Sequence, residues 1–145
     1  AHGDISPKNI LIGPAGPGFL DAECAWDGDP AFDAAFCLNH RRLKCLASPQ
    51  AAARHLGGFD ALRAAYLARV DWEDPAELEA RIASLLPGLF LARIDGKSPV
   101  EYLTLETDKD AVRRVAIPLI RHQPVRLGAV REAWANELRN MGVTA

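Results

Sequence analysis

Apolar residues in the second half of the chain recur every three or four positions, which is the repeat of a helix that buries one face. Two such series are Leu78, Ile82, Leu85, Leu86, Leu89 and Leu127, Val130, Trp134, Leu138. With 145 residues the chain has enough material for one buried core. We therefore expect a single domain over residues 1–145 whose fold class is mainly α.

Helix starts are marked by short polar residues that stand directly before proline. These pairs are Asp29-Pro30, Ser48-Pro49, Asp74-Pro75 and Ser98-Pro99. Asp or Ser can accept a hydrogen bond from a first-turn amide, and proline at the first helical position loses none. Together with the apolar spacing, these signals predict helices over 30–46, 49–56, 60–70, 75–92, 99–105, 108–121 and 127–141. The last but one contains Pro118, which is expected to kink or split it.

A β-hairpin is predicted ahead of the helices. Two short apolar runs, residues 9–12 and 19–21, flank a proline- and glycine-rich stretch over residues 13–18. Proline presets φ and glycine supplies positive φ, so this stretch is predicted to be a turn that joins two strands. A phosphate-cradling loop is disfavoured here, because two prolines remove amide donors and no Gly-Lys-Ser/Thr follows.

Composition excludes several classes of function. A net charge of −2 and a pI near 6.1 argue against a general nucleic-acid binder. The three cysteines form no C-x-x-C pair, which is typical of reduced thiols in the cytoplasm. No apolar run approaches the roughly 18 residues of a membrane span. We expect a cytoplasmic protein without nucleic-acid or membrane partners.

Polar residues bracket the predicted hairpin in an order that suits phosphoryl transfer. His2-Gly3-Asp4 and Asn9 precede the first strand, and Asp21 closes the second. Transfer from ATP requires an oriented hydroxyl and metal ions that neutralise the phosphate charge. Oxygen donors such as Asn9 and Asp21 suit magnesium, and a hairpin brings its two ends together. We expect Asn9 and Asp21 to share a cation, with Asp4 facing the acceptor.

This order of residues resembles the catalytic loop and metal-binding aspartate of the protein-kinase-like fold, in its aminoglycoside phosphotransferase and choline kinase branch. A second stretch, 28–33, looks like the G-D-P-x-x-D segment that opens the first large helix of that family's C-terminal lobe. Residues 93–102 are similar to a segment of bacterial members, with no chemical role assigned. The clear resemblance covers roughly residues 2–46 and weakens towards residue 104. The matching residues of the loop and hairpin are His2, Gly3, Asp4, Pro7, Asn9, Leu11 and 21–23.

The resemblance implies the C-terminal lobe of a small-molecule kinase, with the catalytic loop and metal-binding hairpin over 1–28 and substrate-binding helices over 29–145. Asp4 would be the catalytic base or the residue that orients the hydroxyl. Asn9 and Asp21 would bind the Mg2+ that bridges the phosphates of ATP. The acceptor would be an aminoglycoside-like, choline-like or sugar-like hydroxyl compound. The family's ATP-gripping N-terminal lobe has no counterpart in this sequence, so the isolated chain is expected to be inactive and to need that lobe as its partner.

Other polar residues near the loop are expected to be structural. His2 would hold the loop, Asp29 would cap the first long helix, and Asp33 would be a buried acceptor that ties the loop down. For Glu23, a second-sphere or substrate contact and a purely structural role are equally favoured. A basic cluster over residues 40–44 is interpreted as a solvated helix face, with phosphate binding as the less favoured alternative.

Two other functions remain open. The chain could be a non-catalytic pseudoenzyme or interaction module made of this lobe alone. Alternatively, His2 and Asp4 could be ligands of a metallophosphatase, but the other histidines, His40, His55 and His122, stand in no ligand-like pattern.

Overall fold

The computed structural model describes residues 1–144 and places a two-stranded antiparallel sheet ahead of five α-helices. This confirms the expectation of a mainly α fold with a small hairpin. Within the described residues, no helix combines the length and the apolar content needed to cross a bilayer. The strands are β1 (Ile10–Gly13) and β2 (Gly16–Phe19), and the helices are α1 (Ala31–Ala47), α2 (Ala52–Leu67), α3 (Pro75–Asp95), α4 (Glu106–His122) and α5 (Leu127–Asn140).

The hairpin is tighter than the sequence predicted. β1 and β2 pair with Ile10 opposite Phe19 and Gly13 opposite Gly16. Only residues 14 and 15 therefore remain in the loop, and the predicted six-residue turn over 13–18 was too long. Gly16 has a φ of 111°, a conformation that glycine adopts without steric strain, so the chain can re-enter the ladder directly.

Two of the predicted helical features were wrong. Residues 49–56 and 60–70 were separate helices in the prediction, but one helix, α2, spans most of both ranges. Residues 99–105 form turns rather than a helix, because the Val100 amide donates to the Arg93 carbonyl at 2.8 Å and folds the segment back onto α3. Pro118 lies inside α4 without ending it. It is on the exposed side of α4, where water can satisfy the carbonyl that loses its amide partner.

The core consists of two apolar clusters that share α1, α3 and α5. Phe90 on α3 and Trp134 on α5 meet edge to face at 4.8 Å in the first cluster, which α4 completes. Phe59 of α2 joins residues of α1, α3 and α5 in the second. Burying one large apolar side chain contributes about 1.5–3 kcal/mol, so these clusters supply most of the stabilisation and hold α1 in place.

One charged side chain lies inside this core. Arg42 on α1 is fully buried, and its guanidinium carbon lies 3.8 Å from the centroid of the Phe90 ring. Its three side-chain nitrogens have no hydrogen-bond partner among residues 1–144. Burial lowers the pKa of Arg42 to about 9. The prediction of a solvated face over residues 40–44 was therefore wrong for Arg42.

Candidate active site

The loop before β1 is anchored to α1 by one carboxylate. Asp33 lies in the first turn of α1, where its Oδ2 accepts a hydrogen bond from the His2 amide at 2.6 Å. Its Oδ1 accepts one from the Gly3 amide at 2.9 Å. Hydrogen bonds to an ionised acceptor are roughly twice as strong as neutral ones, so two of them on successive amides fix the backbone next to Asp4.

Gly3 stands where a larger residue would not fit. Its φ is +86°, and a Cβ placed there would lie 2.5 Å from the Cys24 carbonyl oxygen and 2.8 Å from the Trp26 ring. The segment carrying Trp26 is held over the loop because Ala1 and Trp26 exchange backbone hydrogen bonds of 2.8 and 3.0 Å. Both the conformation and the close approach therefore require glycine between His2 and Asp4.

Asp4 and Asn9 are brought together by the short 3-10 turn Pro7–Asn9. The Asn9 side-chain nitrogen, Nδ2, donates to the Asp4 carboxylate at 2.9 Å and to the Asp4 backbone carbonyl at 3.0 Å. Both partners are acceptors, so the Asn9 side-chain oxygen must point elsewhere. Lys8 forms an ion pair with Asp4 at 3.4 Å, and the Asp4 side chain is still 24% exposed. Asp4 is therefore oriented and accessible at once.

Asp21 and Glu23 follow the second strand. The Leu20 amide donates to the Asn9 carbonyl at 2.9 Å, so Asp21 comes one residue after the position opposite Asn9. Asp21 is exposed and has a φ of 65°, and Glu23 is exposed in the next 3-10 turn, Ala22–Cys24. Neither carboxylate has a hydrogen-bond partner among the side chains of the described residues. The fold thus places Asp21 at the same end of the hairpin as Asn9, and Glu23 just beyond it.

The donor set at this end of the hairpin suits magnesium better than zinc. No cluster of three or more His, Cys, Asp or Glu side chains occurs in the described part of the chain. Asn9 and Asp21 offer one amide oxygen and one carboxylate. Mg2+ is commonly held by one or two protein oxygens while water and phosphate oxygens complete its shell. The residues therefore fit a magnesium ion carried on a polyphosphate.

His2 and Asp29 make contacts of a structural kind. The His2 Nδ1 accepts a long hydrogen bond of 3.4 Å from the Asp4 amide. The Asp29 Oδ1 accepts from the Ala31 amide at 2.9 Å, and its Oδ2 accepts from Arg81 at 2.8 Å. Burial alone would raise the pKa of Asp29, but these two donors outweigh it and the pKa is lowered. Asp29 therefore stabilises the start of α1.

A basic cavity beside Asp4 was not predicted from the sequence. It has a volume of about 350 Å³ and lies between the loop, α1, the end of α3 and the 98–102 segment. Burial, followed by the charges of Arg93, Lys8 and Lys44, lowers the pKa of His40 to about 4, although Asp4 acts in the opposite sense. The sequence signal was the four-residue spacing of His40 and Lys44, which places both on one face of α1. The residues lining the cavity are Ser6, Pro7, Lys8, His40, Lys44, Arg93, Ser98, Pro99, Val100, Glu101 and Tyr102.

A second cavity, of about 430 Å³, lies between the hairpin and helices α1 and α2. Its walls are mainly apolar and include Ile10, Phe19, Leu38 and Tyr66. The carboxylate that reaches it, Asp33, is already engaged by the loop amides. The polar chemistry is therefore concentrated around Asp4.

Comparisons of the chain with protein-family models, with curated proteins and with solved structures find no match.

Proposed function

We propose that this chain is the catalytic, acceptor-side lobe of an ATP- and Mg2+-dependent phosphotransferase that acts on a hydroxyl group of a small molecule. The observation that carries the proposal is the Asp4–Asn9 pair. The Asn9 side-chain nitrogen donates to the Asp4 carboxylate at 2.9 Å, and Asn9 and Asp21 belong to the same end of the hairpin. Phosphoryl transfer needs this division between a residue that orients the hydroxyl and residues that hold a cation.

Each residue has a role that follows from its contacts. Asp4 accepts the hydroxyl proton or aligns the hydroxyl, since its side chain is partly exposed and its carboxylate is oriented by Asn9. Asn9 and Asp21 hold Mg2+, which neutralises charge on the phosphates when it is bound. Asp33 and Gly3 keep the loop in the conformation that presents Asp4.

The narrower assignment, to the aminoglycoside phosphotransferase and choline kinase branch of the protein-kinase-like fold, rests on the resemblance of residues 2–46. It is compatible with a hairpin followed by helices. On this assignment the nucleotide is ATP, the protein works in the cytoplasm, and an N-terminal lobe supplies the remaining contacts to ATP. The helices over residues 29–145 then select the acceptor.

The first test uses the protein encoded by the complete reading frame that contains this chain. Asp4→Ala is expected to lower ATP-dependent transfer to its hydroxyl acceptor by about 10²–10⁴-fold, because general-base assistance is lost. ATP binding, measured by calorimetry, should stay unchanged. Asp71→Ala is the matched control, since Asp71 is an exposed acid outside the site. Full activity of Asp4→Ala would refute the role of Asp4.

The second test asks whether the chain itself holds a divalent ion. Mn2+ is the probe, and its binding is followed by electron paramagnetic resonance with tripolyphosphate present. Asp21→Asn should weaken binding by about tenfold or more, because one of two protein donors loses its charge. Asp27→Asn, a neighbouring exposed acid, should change it less than twofold. Equal binding by wild type and Asp21→Asn, together with no transfer by the complete wild-type protein, would favour a non-catalytic interaction module.

A further inference from the structure

The cavity beside Asp4 contains polar atoms whose hydrogen-bonding capacity is unused. The Ser6 hydroxyl, His40 Nε2 and Arg93 Nε are buried and have no partner in the described chain. Ser6 is only 1% exposed. Buried polar groups are satisfied in the great majority of cases, so three orphans at one cavity indicate that something else completes them.

The charges around the cavity select the kind of partner. Lys8, Lys44 and Arg93 line it, against the single carboxylate of Glu101. Lys8 is paired with Asp4, but Lys44 and Arg93 form no ion pair with any described residue. Lysine and arginine side chains only donate hydrogen bonds, and a serine hydroxyl can donate one. The missing partner is therefore an acceptor with negative charge.

The Arg93 side chain contacts the 98–102 segment that forms one wall of the cavity. Its Nη1 makes one long contact, 3.5 Å, with the Ser98 hydroxyl. The Val100 amide bonds to the Arg93 carbonyl and folds the 98–102 segment against it. Lys44 is placed from the other side, with its ammonium 4.2 Å from the centroid of the Tyr102 ring. The segment over residues 93–102, to which the sequence assigned no role, thus shapes one wall of the cavity.

We propose that this cavity binds an oxyanion, a carboxylate or phosphate group, carried by the hydroxyl acceptor itself. This inference rests on the proposed function, since it takes Asp4 as the residue that faces the reacting hydroxyl. Lys8 touches Asp4 at 3.4 Å and also lines the cavity, so the anionic group would lie beside the hydroxyl that Asp4 orients. The substrate class is then a small hydroxylated acid or a phosphorylated polyol.

The test compares matched ligands on the 145-residue chain by two-dimensional NMR. Glycerol 3-phosphate and glycerate carry the anion and hydroxyls, whereas glycerol carries hydroxyls alone. The two anionic ligands should bind saturably and shift amide signals of residues 6–8, 40–44 and 98–102, and glycerol should not. Equal behaviour of glycerol, or shifts confined to other residues, would overturn the inference.

Variants test which groups hold the anion. Lys44→Gln and Arg93→Gln should each weaken glycerol 3-phosphate binding by about tenfold, the usual effect of losing one hydrogen bond to a charged group. Lys44 is exposed, so Lys44→Gln keeps the fold if Arg93→Gln does not. Arg121→Gln, an exposed arginine on α4, is the control and should change binding less than twofold. Unchanged binding in Lys44→Gln refutes the site.

Ser6→Ala separates ligand binding from stability. The Ser6 hydroxyl has no partner in the chain, so its removal should leave the melting temperature unchanged or raise it while weakening anion binding. A lower melting temperature with unchanged binding would mean that the hydroxyl serves the fold and not a ligand.

Two further measurements identify the source of the anion. Tripolyphosphate should bind together with glycerol 3-phosphate, and competition between them would assign the cavity to the nucleotide instead of the acceptor. Asp4→Ala should keep anion binding while abolishing transfer in the complete protein. Anion binding by the complete wild-type protein without any transfer would uphold the site and reject the phosphotransferase. Transfer by that protein to uncharged hydroxyl compounds alone would do the reverse.

Discussion

The hairpin region, residues 1–28, and the helices that follow are stabilised in different ways. Large apolar side chains of the hairpin are exposed: Ile12 by 81% and Phe19 by 59%. In the helices, Phe59, Phe90 and Trp134 are completely buried. The first region keeps its position through specific hydrogen bonds, such as those that Asp33 accepts, and the second through burial. The geometry of the loop around Asp4 and the stability of the whole fold therefore depend on separate sets of residues.

The largest difference between the regions should appear when the same residue type is truncated in each. Phe59→Ala removes a fully buried ring from the helical core and should lower the free energy of unfolding by about 3–5 kcal/mol. Phe19→Ala in the hairpin should lower it by less than about 1 kcal/mol, because that ring is already exposed to water. Urea denaturation followed by circular dichroism measures both. Similar losses would mean that the hairpin belongs to the cooperative core.

Replacing Asp33 should affect stability less than Phe59→Ala does, but it should affect phosphoryl transfer more. Asp33→Asn places a side-chain NH2 group against one of the two backbone N–H groups that donate to Asp33. This should weaken the attachment of the loop to α1 by about 2 kcal/mol. Transfer by the complete protein should fall by about a hundredfold or more, while the helical signal of the chain stays intact.

Asp29→Asn is the matched control, because Asp29 lies four positions before Asp33 at the start of α1. There it accepts a hydrogen bond from the Ala31 amide and pairs with Arg81 of α3. Asparagine also caps helices well, so transfer should change less than about threefold. A loss of transfer as large as that of Asp33→Asn would show that the start of α1 matters as a whole, and not the two amide contacts of Asp33.

Arg42 is the exception within the helical region, because it is a charged side chain in an apolar core. Its replacement should give the smallest change in the free energy of unfolding, and that change should be an increase. Arg42→Met keeps the unbranched shape and removes a buried charge that has no hydrogen-bond partner among residues 1–144. The lost stacking on Phe90 offsets part of the gain, so the free energy of unfolding should rise by about 1–2 kcal/mol at pH 7. Arg121→Met, on the surface, should stay within about 0.5 kcal/mol.

The sign of the pH dependence follows from the pKa of Arg42. Burial lowers it to about 9 in the folded chain, so between pH 9 and the higher pKa of Arg42 in the unfolded chain the unfolded state binds more protons. Stability contributed by this group therefore rises with pH in that window. The advantage of Arg42→Met over wild type should shrink at pH 10, and an advantage that grows would contradict the burial argument.

The sequence predicted those features that depend on local periodicity. The apolar spacing from Leu78 to Leu89 located α3, and that from Leu127 to Leu138 located α5, because each series lies on a buried helix face. The Ser98-Pro99 signal failed, since the buried Val100 and Leu103 pack through a folded-back loop rather than at helical spacing. Serine before proline is compatible with both structures.

At the site, the order of residues along one short segment allowed Asp4, Asn9 and Asp21 to be selected together. The basic cavity could not be found in that way. Ser6, Lys44 and Arg93 lie far apart in the sequence, and the packing of α1 against α3 brings them to one place. The spacing of residues within one segment cannot predict that side chains from the loop, α1 and α3 line the same cavity.

The contacts of Asp33 also predict an unusual pattern of amide hydrogen exchange. Amides outside helices and strands normally exchange quickly in D2O, because local opening exposes them to water. His2 and Gly3 instead donate to a carboxylate that is fixed on α1, at 2.6 and 2.9 Å. Their amides should open only when the first turn of α1 opens. The amides of His2 and Gly3 would then be protected for longer than those at the exposed tip of the hairpin.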